Sequence, residues 1–181
     1  MDAGELKFIP FRERDNRYVP LVVVLALILV GLWLLFGVAY AAEYVDGDSM
    51  LNTLASGDRM LMTRSYPVPA RGDIVSADVV VDGTPDRILK RIVALPGDTV
   101  EVHGDNVWVN GVIATWPGVI IGPDDTFHLG PFEIPSGEVY LLGDNRPVSL
   151  DSRFIGSVPI PQIAGRAVAI FSPLTHAGRI D

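Results

Sequence analysis

Two hydrophobic patterns divide the chain. From Tyr18 to Ala42 the residues YVPLVVVLALILVGLWLLFGVAYAA contain no Lys, Arg, Asp, Glu or His, and about 20 apolar residues in a helix suffice to cross ~30 Å of hydrocarbon. This run predicts one membrane-spanning helix over residues 18–42. Beyond it the apolar residues fall into short, β-branched runs punctuated by Gly and Pro, the signature of an all-β domain. The predicted strands are Arg59 to Thr63, Asp73 to Val81, Arg87 to Leu95, Thr99 to His103, Asn106 to Val109, Val112 to Ala114, Glu138 to Leu142 and Ala164 to Phe171. Long amphipathic helical patterns are absent. The expectation is a mainly β protein: one N-terminal helix, then an antiparallel sheet or barrel-like domain over residues 43–181. Gly104-Asp105 and Asn110-Gly111 predict tight hairpin turns. Residues 115–137, dense in Gly and Pro, predict a loop-rich excursion rather than a second core.

The flanks of the apolar run orient it. Lys7, Arg12, Arg14 and Arg17 precede it, whereas the first basic residue after it is Arg59. Basic residues favour the cytoplasmic side and acidic ones count for little, so residues 1–17 are expected to be a cytoplasmic tail, with the following domain outside. Tyr18 and Tyr40 mark interfacial ends, and Pro20 falls in the first turn, where a missing N–H costs least. Ala39-Tyr40-Ala41 also has the small-x-small pattern of a secretory cleavage site, but the run is too long for the apolar core of a cleaved signal.

Charge and composition narrow the chemistry. The tail holds equal numbers of acidic and basic residues, so the net charge of −8 belongs to the outer domain. Such a domain is a poor nucleic-acid binder. The chain has no cysteine, which excludes thiol catalysis, disulfides and cysteine-ligated zinc. Nothing in the sequence calls for a metal or cofactor.

The stretch Tyr44-Val45-Asp46-Gly47-Asp48-Ser49-Met50-Leu51-Asn52-Thr53-Leu54 begins where the apolar run stops. Ser49 is the candidate nucleophile, held just outside the membrane. A serine needs a base, usually histidine with a carboxylate behind it, but His103, His128 and His176 sit in no motif. Lysine serves instead where an apolar, dehydrated setting lowers its pKa. In the strand from Arg87 to Leu95, alternation places Lys90 on one face with Ile88 and Ile92 and turns Arg91 to the other. A lysine blunting a sheet edge is the commoner reading of such a strand, and the strand alone does not choose between them.

The third block is Gly143-Asp144-Asn145-Arg146-Pro147-Val148-Ser149-Leu150-Asp151-Ser152-Arg153-Phe154-Ile155-Gly156. With it the chain resembles the type I signal peptidases, membrane-anchored Ser/Lys proteases that remove signal peptides from exported proteins. The family pattern G-x-S-M-x-P-T-L is similar to Gly47–Leu54, and R-G-D-I-V to Arg71–Val75. K-R-x-x-x-x-P-G-D is matched by Lys90, Arg91, Pro96, Gly97 and Asp98. G-D-N-R-x-x-S-x-D-S-R-x-x-G is matched at every fixed position from Gly143 to Gly156. The departure is Asn52, where the family usually has proline, which suggests a less rigid loop after the nucleophile.

The resemblance implies that Ser49 attacks the scissile carbonyl while neutral Lys90 takes its proton. It also implies that Ser149 holds the lysine amine by a hydrogen bond, and that the Ser49 backbone N–H and the Gly47 region form the oxyanion hole. Asp144 with Arg91 or Arg146, and Asp151 with Arg153, are expected to brace the site as ion pairs. The substrate, an exported preprotein with small residues at the first and third positions before the cut, is expected to add as an extended strand, with Met50 and Ile88 lining its pockets. Two alternatives stay open: a dedicated, conjugation-type processing peptidase with few substrates, and a non-enzymatic anchored β domain.

Overall fold

The computed structural model describes residues 18–123 and 126–180. The tail 1–17, with the basic residues that orient the apolar run, lies outside the described residues. The described residues fall into two compact units, divided after Gly37.

In the first unit the apolar run forms helix α1 (Val19–Ala39). Its 21 residues extend about 31 Å at 1.5 Å per residue, long and apolar enough to cross a membrane. The helix is three residues shorter at its C-terminal end than the run that predicts it. Tyr40, Ala41 and Ala42 open strand β1 (Tyr40–Tyr44), where they pair antiparallel with Thr63, Met62 and Leu61 of β2 (Arg59–Thr63). Apolarity alone cannot mark that change, because helix and strand can both be built from such residues.

The remaining elements follow as β3 (Ile74–Val81), β4 (Thr84–Ala94), β5 (Thr99–His103), β6 (Asn106–Val109), β7 (Val112–Ile113), β8 (His128–Glu133) and β9 (Glu138–Leu142). The short helix α2 (Ser152–Ile155), β10 (Val158–Pro159), β11 (Ile163–Ser172) and β12 (Gly178–Arg179) complete the chain. Among the described residues, one sheet runs β1-β2-β11-β3-β4-β9-β10, with β12 beside β11, and a second runs β7-β6-β5-β8. The fold is thus mainly antiparallel β. Asn110 and Gly111 both have positive φ, 52° and 78°, as a type I′ hairpin turn requires. Residues 115–137 contain β8, which pairs with β5 and so extends the small sheet.

The core lies in three clusters. The small sheet gathers around Val93, Val100, Val102, Val107, Ile134 and Tyr140. The large sheet packs Met50, Leu54, Met60, Met62, Ile74 and Ile170 on one side and Val75, Ala77, Ile88, Ile92, Val139 and Leu141 on the other. Strand β4 contributes to all three regions, since Ile88 and Ile92, Leu89, and Val93 with Ala94 join different clusters. Consequently β4 is held rigidly, and a side chain on it has little freedom to move. The blocks flanking it also meet in space: Arg71 of the Arg71–Val75 stretch pairs with Asp98 of Pro96-Gly97-Asp98.

Candidate active site

Ser49 sits on the loop joining β1 to β2. Hydrogen bonds from Val45 N to Asp58 O (2.9 Å) and from Gly57 N to Val45 O (3.0 Å) close the loop's base. Gly47 has φ +82°, a backbone that glycine adopts without the clash a Cβ would bring. The turn then tightens, with Leu51 N to Asp48 O at 3.1 Å and Leu54 N to Met50 O at 2.8 Å. Met50 and Leu54 are buried in the large-sheet core, so their burial draws the loop down while Ser49, just before Met50, remains half-buried at a cavity. Asn145 fixes the loop from the other side. Its Nδ2 donates to Asp48 O at 3.0 Å and its backbone N–H to Ser49 O at 2.9 Å. The sequence reading gave Asn145 no role; its place inside the Gly143–Gly156 block was the available signal.

Lys90 meets the serine from β4. Its Nζ lies 2.8 Å from Ser49 Oγ and donates to its neighbour's carbonyl, Leu89 O, at 3.0 Å. The residue is only 5% exposed. Desolvation holds the amine below the ordinary lysine pKa, against the weaker opposing pull of the Asp151 and Asp86 charges. Buried without a touching carboxylate, the amine loses its proton more readily than a free lysine, and the neutral form is the one that can accept a proton from a serine hydroxyl.

The residue next to it has the opposite surroundings. Arg91 makes a two-pronged contact with Asp144, Nε to Oδ1 at 2.9 Å and Nη2 to Oδ2 at 2.7 Å. Arg91 Nη1 also donates to Gly72 O at 2.6 Å, and Thr53 Oγ1 donates to Asp144 Oδ2 at 2.5 Å. Through Thr53, this pair holds the far end of the nucleophile loop. Asp151, fully buried, accepts from Arg153 Nε at 2.9 Å and from the Gly143 N–H at 3.1 Å, and its Oδ1 caps α2.

These contacts decide one sequence expectation between its two alternatives, Asp144 taking Arg91, and revise two others. Arg146 does not share Asp144; its guanidinium donates to the carbonyls of Gly143, Asp105 and Ala114 at 2.9, 3.1 and 3.2 Å. Burial lowers its pKa to about 10. Ser149 is buried at 4% exposure, but its Oγ makes no hydrogen bond among the described residues, so the expected bond to the lysine amine is not formed. The third concerns Asn52, whose φ is +74°. Proline, fixed near −65°, cannot adopt that backbone, whereas asparagine tolerates it, and Asn52 Nδ2 ties the loop to Gly118 O at 3.2 Å.

Asp105 is a further residue the sequence reading passed over. It forms part of the predicted hairpin turn, yet it is buried and accepts from Arg153 Nη1 at 2.6 Å and from the Gly122 N–H at 2.7 Å. The histidines stand apart from Ser49: His176 contacts Asp58 at 2.8 Å, and His103 contacts Glu101 at 2.7 Å.

Ser49 and Lys90 open onto a cavity of about 840 Å³. One wall is the chain from Glu43 to Leu51; the other is β4 from Asp86 to Lys90. Met50 and Ile88 both line it. Strand β4 pairs with β9 only at Arg91, Ile92 and Ala94, so the preceding stretch of β4 has no β9 partner and borders the cavity. The arrangement can hold an extended peptide between two walls with a hydroxyl and a dehydrated amine at one end.

The chain is similar to known proteins over most of its length. A model of the family described as "Signal peptidase, peptidase S26" matches residues 16–172. Signal peptidase I of Leptolyngbya laminosa is 35% identical over 148 residues, 77% of this chain and 72% of that protein. Signal peptidase I S of Bacillus subtilis is 35% identical over 150 residues, 76% of this chain and 79% of that one. A crystal structure of a signal peptidase I from Enterococcus faecalis aligns at 30% identity with a TM-score of 0.46, over 56% of this chain and 98% of that chain. With its matching blocks meeting around Ser49 and Lys90, and a family match over most of its length, the chain belongs to the signal peptidase family, peptidase S26.

Proposed function

We propose that this protein cleaves signal peptides from exported preproteins with Ser49 as nucleophile and Lys90 as general base. Family membership makes it a serine peptidase, a hydrolase of peptide bonds. The observation that carries the assignment of residues is the 2.8 Å contact between Lys90 Nζ and Ser49 Oγ, made by an amine that burial keeps toward its neutral form.

The neutral amine takes the Ser49 proton as Oγ attacks the scissile carbonyl, and the lysine, now charged, returns a proton to the leaving amine. Deacylation repeats the transfer with water. The oxyanion is received at the loop, by the Ser49 N–H and the Gly47 region, since glycine brings no hydroxyl of its own. Asn145, the Arg91–Asp144 pair and Asp151 with Arg153 hold the loop and β4 at a fixed separation, which matters because small misplacements of reacting groups cost large factors in rate.

The substrate adds as an extended strand between the Glu43–Leu51 wall and β4. Its small side chains at the first and third positions before the cut point into the cavity that Met50 and Ile88 line. Helix α1 anchors the chain in the bilayer with the tail 1–17 on the cytoplasmic side and the peptidase unit outside, as its length and the basic residues before it favour.

The test is processing of a preprotein in detergent by the full chain, with the cut mapped. Cleavage after a small-x-small sequence by the parent, and none by Ser49→Ala or Lys90→Ala, is the expected result. Either variant processing the preprotein as fast as the parent would refute the dyad.

A further inference from the structure

The cavity's two walls approach each other at two places. At one end Lys90 Nζ meets Ser49 Oγ at 2.8 Å; at the other Arg87 Nη1 lies 3.6 Å from Glu43 Oε1. Both walls run in the same chain direction, Glu43 to Ser49 and Arg87 to Lys90. The two closures are therefore three residues apart along β4, about 10 Å at ~3.3 Å per residue. That length seats the three residues preceding a scissile bond. Their first side chain falls at the Ser49 end, and the third, on the same face of an extended strand, falls toward the Arg87 end.

Between these ends the cavity has a polar group that nothing in the fold uses. Ser76 of β3 lines the cavity and is 1% exposed, and its Oγ has no hydrogen-bond partner among the described residues. Register fixes its place: Ser76 pairs with Leu89, and the next pair on that face is Asp78 with Arg87, joined by Arg87 Nε to Asp78 Oδ1 at 2.7 Å. Met60, another lining residue, pairs with Glu43 on β1. Ser76 thus lies beside β4 between the two closures, on the face that carries Arg87 and Leu89 and not Lys90. A buried hydroxyl without a partner costs free energy that a bound partner would recover, and valine or alanine would fill the same strand position without that cost.

Resting on the proposed peptidase activity, we infer that Ser76 is a specificity-determining residue. Its hydroxyl lets the pocket for the third side chain before the cut receive a hydroxyl-bearing residue, serine or threonine, as well as alanine. The bound hydroxyl exchanges a hydrogen bond with Ser76 Oγ, and the partner it leaves in water is replaced inside the cavity. Sites that supply such a partner discriminate through it, because an analogue lacking the group leaves a buried polar atom unpaired.

The experiment measures kcat/KM of the full chain in detergent on three preproteins that differ only at the third residue before the cut: alanine, serine and valine. The parent is expected to process the serine substrate at least as well as the alanine one. Ser76→Ala is expected to lower the serine-to-alanine ratio about tenfold, the scale of one hydrogen bond, while the alanine substrate is still processed, which also reports that the variant is folded. Ser76→Thr, which keeps the hydroxyl, is expected to keep the parent's ratio. A ratio unmoved by Ser76→Ala, or moved equally by Ser76→Thr, overturns the role of Ser76 and leaves the peptidase assignment standing. A parent that cleaves none of the three overturns the activity and the inference with it.

Discussion

Lys90 and Arg91 are neighbours on β4 and almost equally hidden, 5% and 2% exposed, yet strand alternation sends them into opposite surroundings. Arg91 enters a site that already holds a carboxylate in matching geometry, with both guanidinium prongs on Asp144, so it acts as a brace. Lys90 enters the cavity wall beside Ile88, where its contacts are a hydroxyl and one backbone carbonyl. No carboxylate touches it and desolvation outweighs the pull of Asp151 and Asp86, so the amine gives up its proton more readily. Burial of a cation therefore does not fix its role; the partner supplied with the burial does. The same logic covers Arg153, braced between Asp151 and Asp105.

The comparison can be broken most sharply at the reacting pair. Ser49→Ala and Lys90→Ala should each lower kcat/KM on a preprotein by about 10⁴-fold or more, as loss of a nucleophile or its base does in serine proteases. Lys90→Arg should do the same while keeping a cation there, because a guanidinium does not deprotonate.

The next largest effect is on stability and differs in sign between the neighbours. Asp144→Ala strands Arg91 without its carboxylate and should cost about 3–5 kcal/mol in urea unfolding. Lys90→Met should cost nothing or stabilise. The folded-state pKa of Lys90 is lowered, so below the ordinary lysine value the unfolded chain binds a proton that the folded chain lacks, and the parent's stability rises with pH through that window. The advantage of Lys90→Met should accordingly shrink as pH approaches the unfolded lysine pKa.

Asn145→Ala should act more mildly, lowering kcat/KM by about 10–100-fold through a displaced nucleophile loop, with the unfolding midpoint moved little. The smallest effect belongs to Asp86→Asn. Asp86 is exposed, and its charge raises the Lys90 pKa slightly, so its removal should shift the acid limb of the rate profile to lower pH.

Much of this comparison was legible in the chain. Alternation put Lys90 with Ile88 and Ile92 and turned Arg91 away, and the order of the motif blocks named Ser49. Strand β8 was not legible, because Leu129, Gly130 and Pro131 are all exposed and the strand exists through its pairing with β5 rather than through any alternation of its own. Strand β1 was hidden for a different reason: Tyr40–Ala42 continue the apolar run without a break. Asp105 read as a turn residue, and it is one, but nothing local shows that Arg153, 48 positions on, reaches it. For Asp144 the chain offered Arg91 or Arg146 as partner, and the fold decides between them by turning the Arg146 guanidinium to three carbonyls.

The central claim, a serine activated by a lysine whose pKa burial lowers, is tested most directly by the pH dependence of kcat/KM on one preprotein from about pH 5 to 10, in the parent and in Asp86→Asn. The account predicts a rate that falls with a single protonation as pH drops below a pKa lower than that of a free lysine, with the limb displaced to lower pH in the variant. A rate flat across the range, or a limb at the pKa of an exposed lysine, would contradict it.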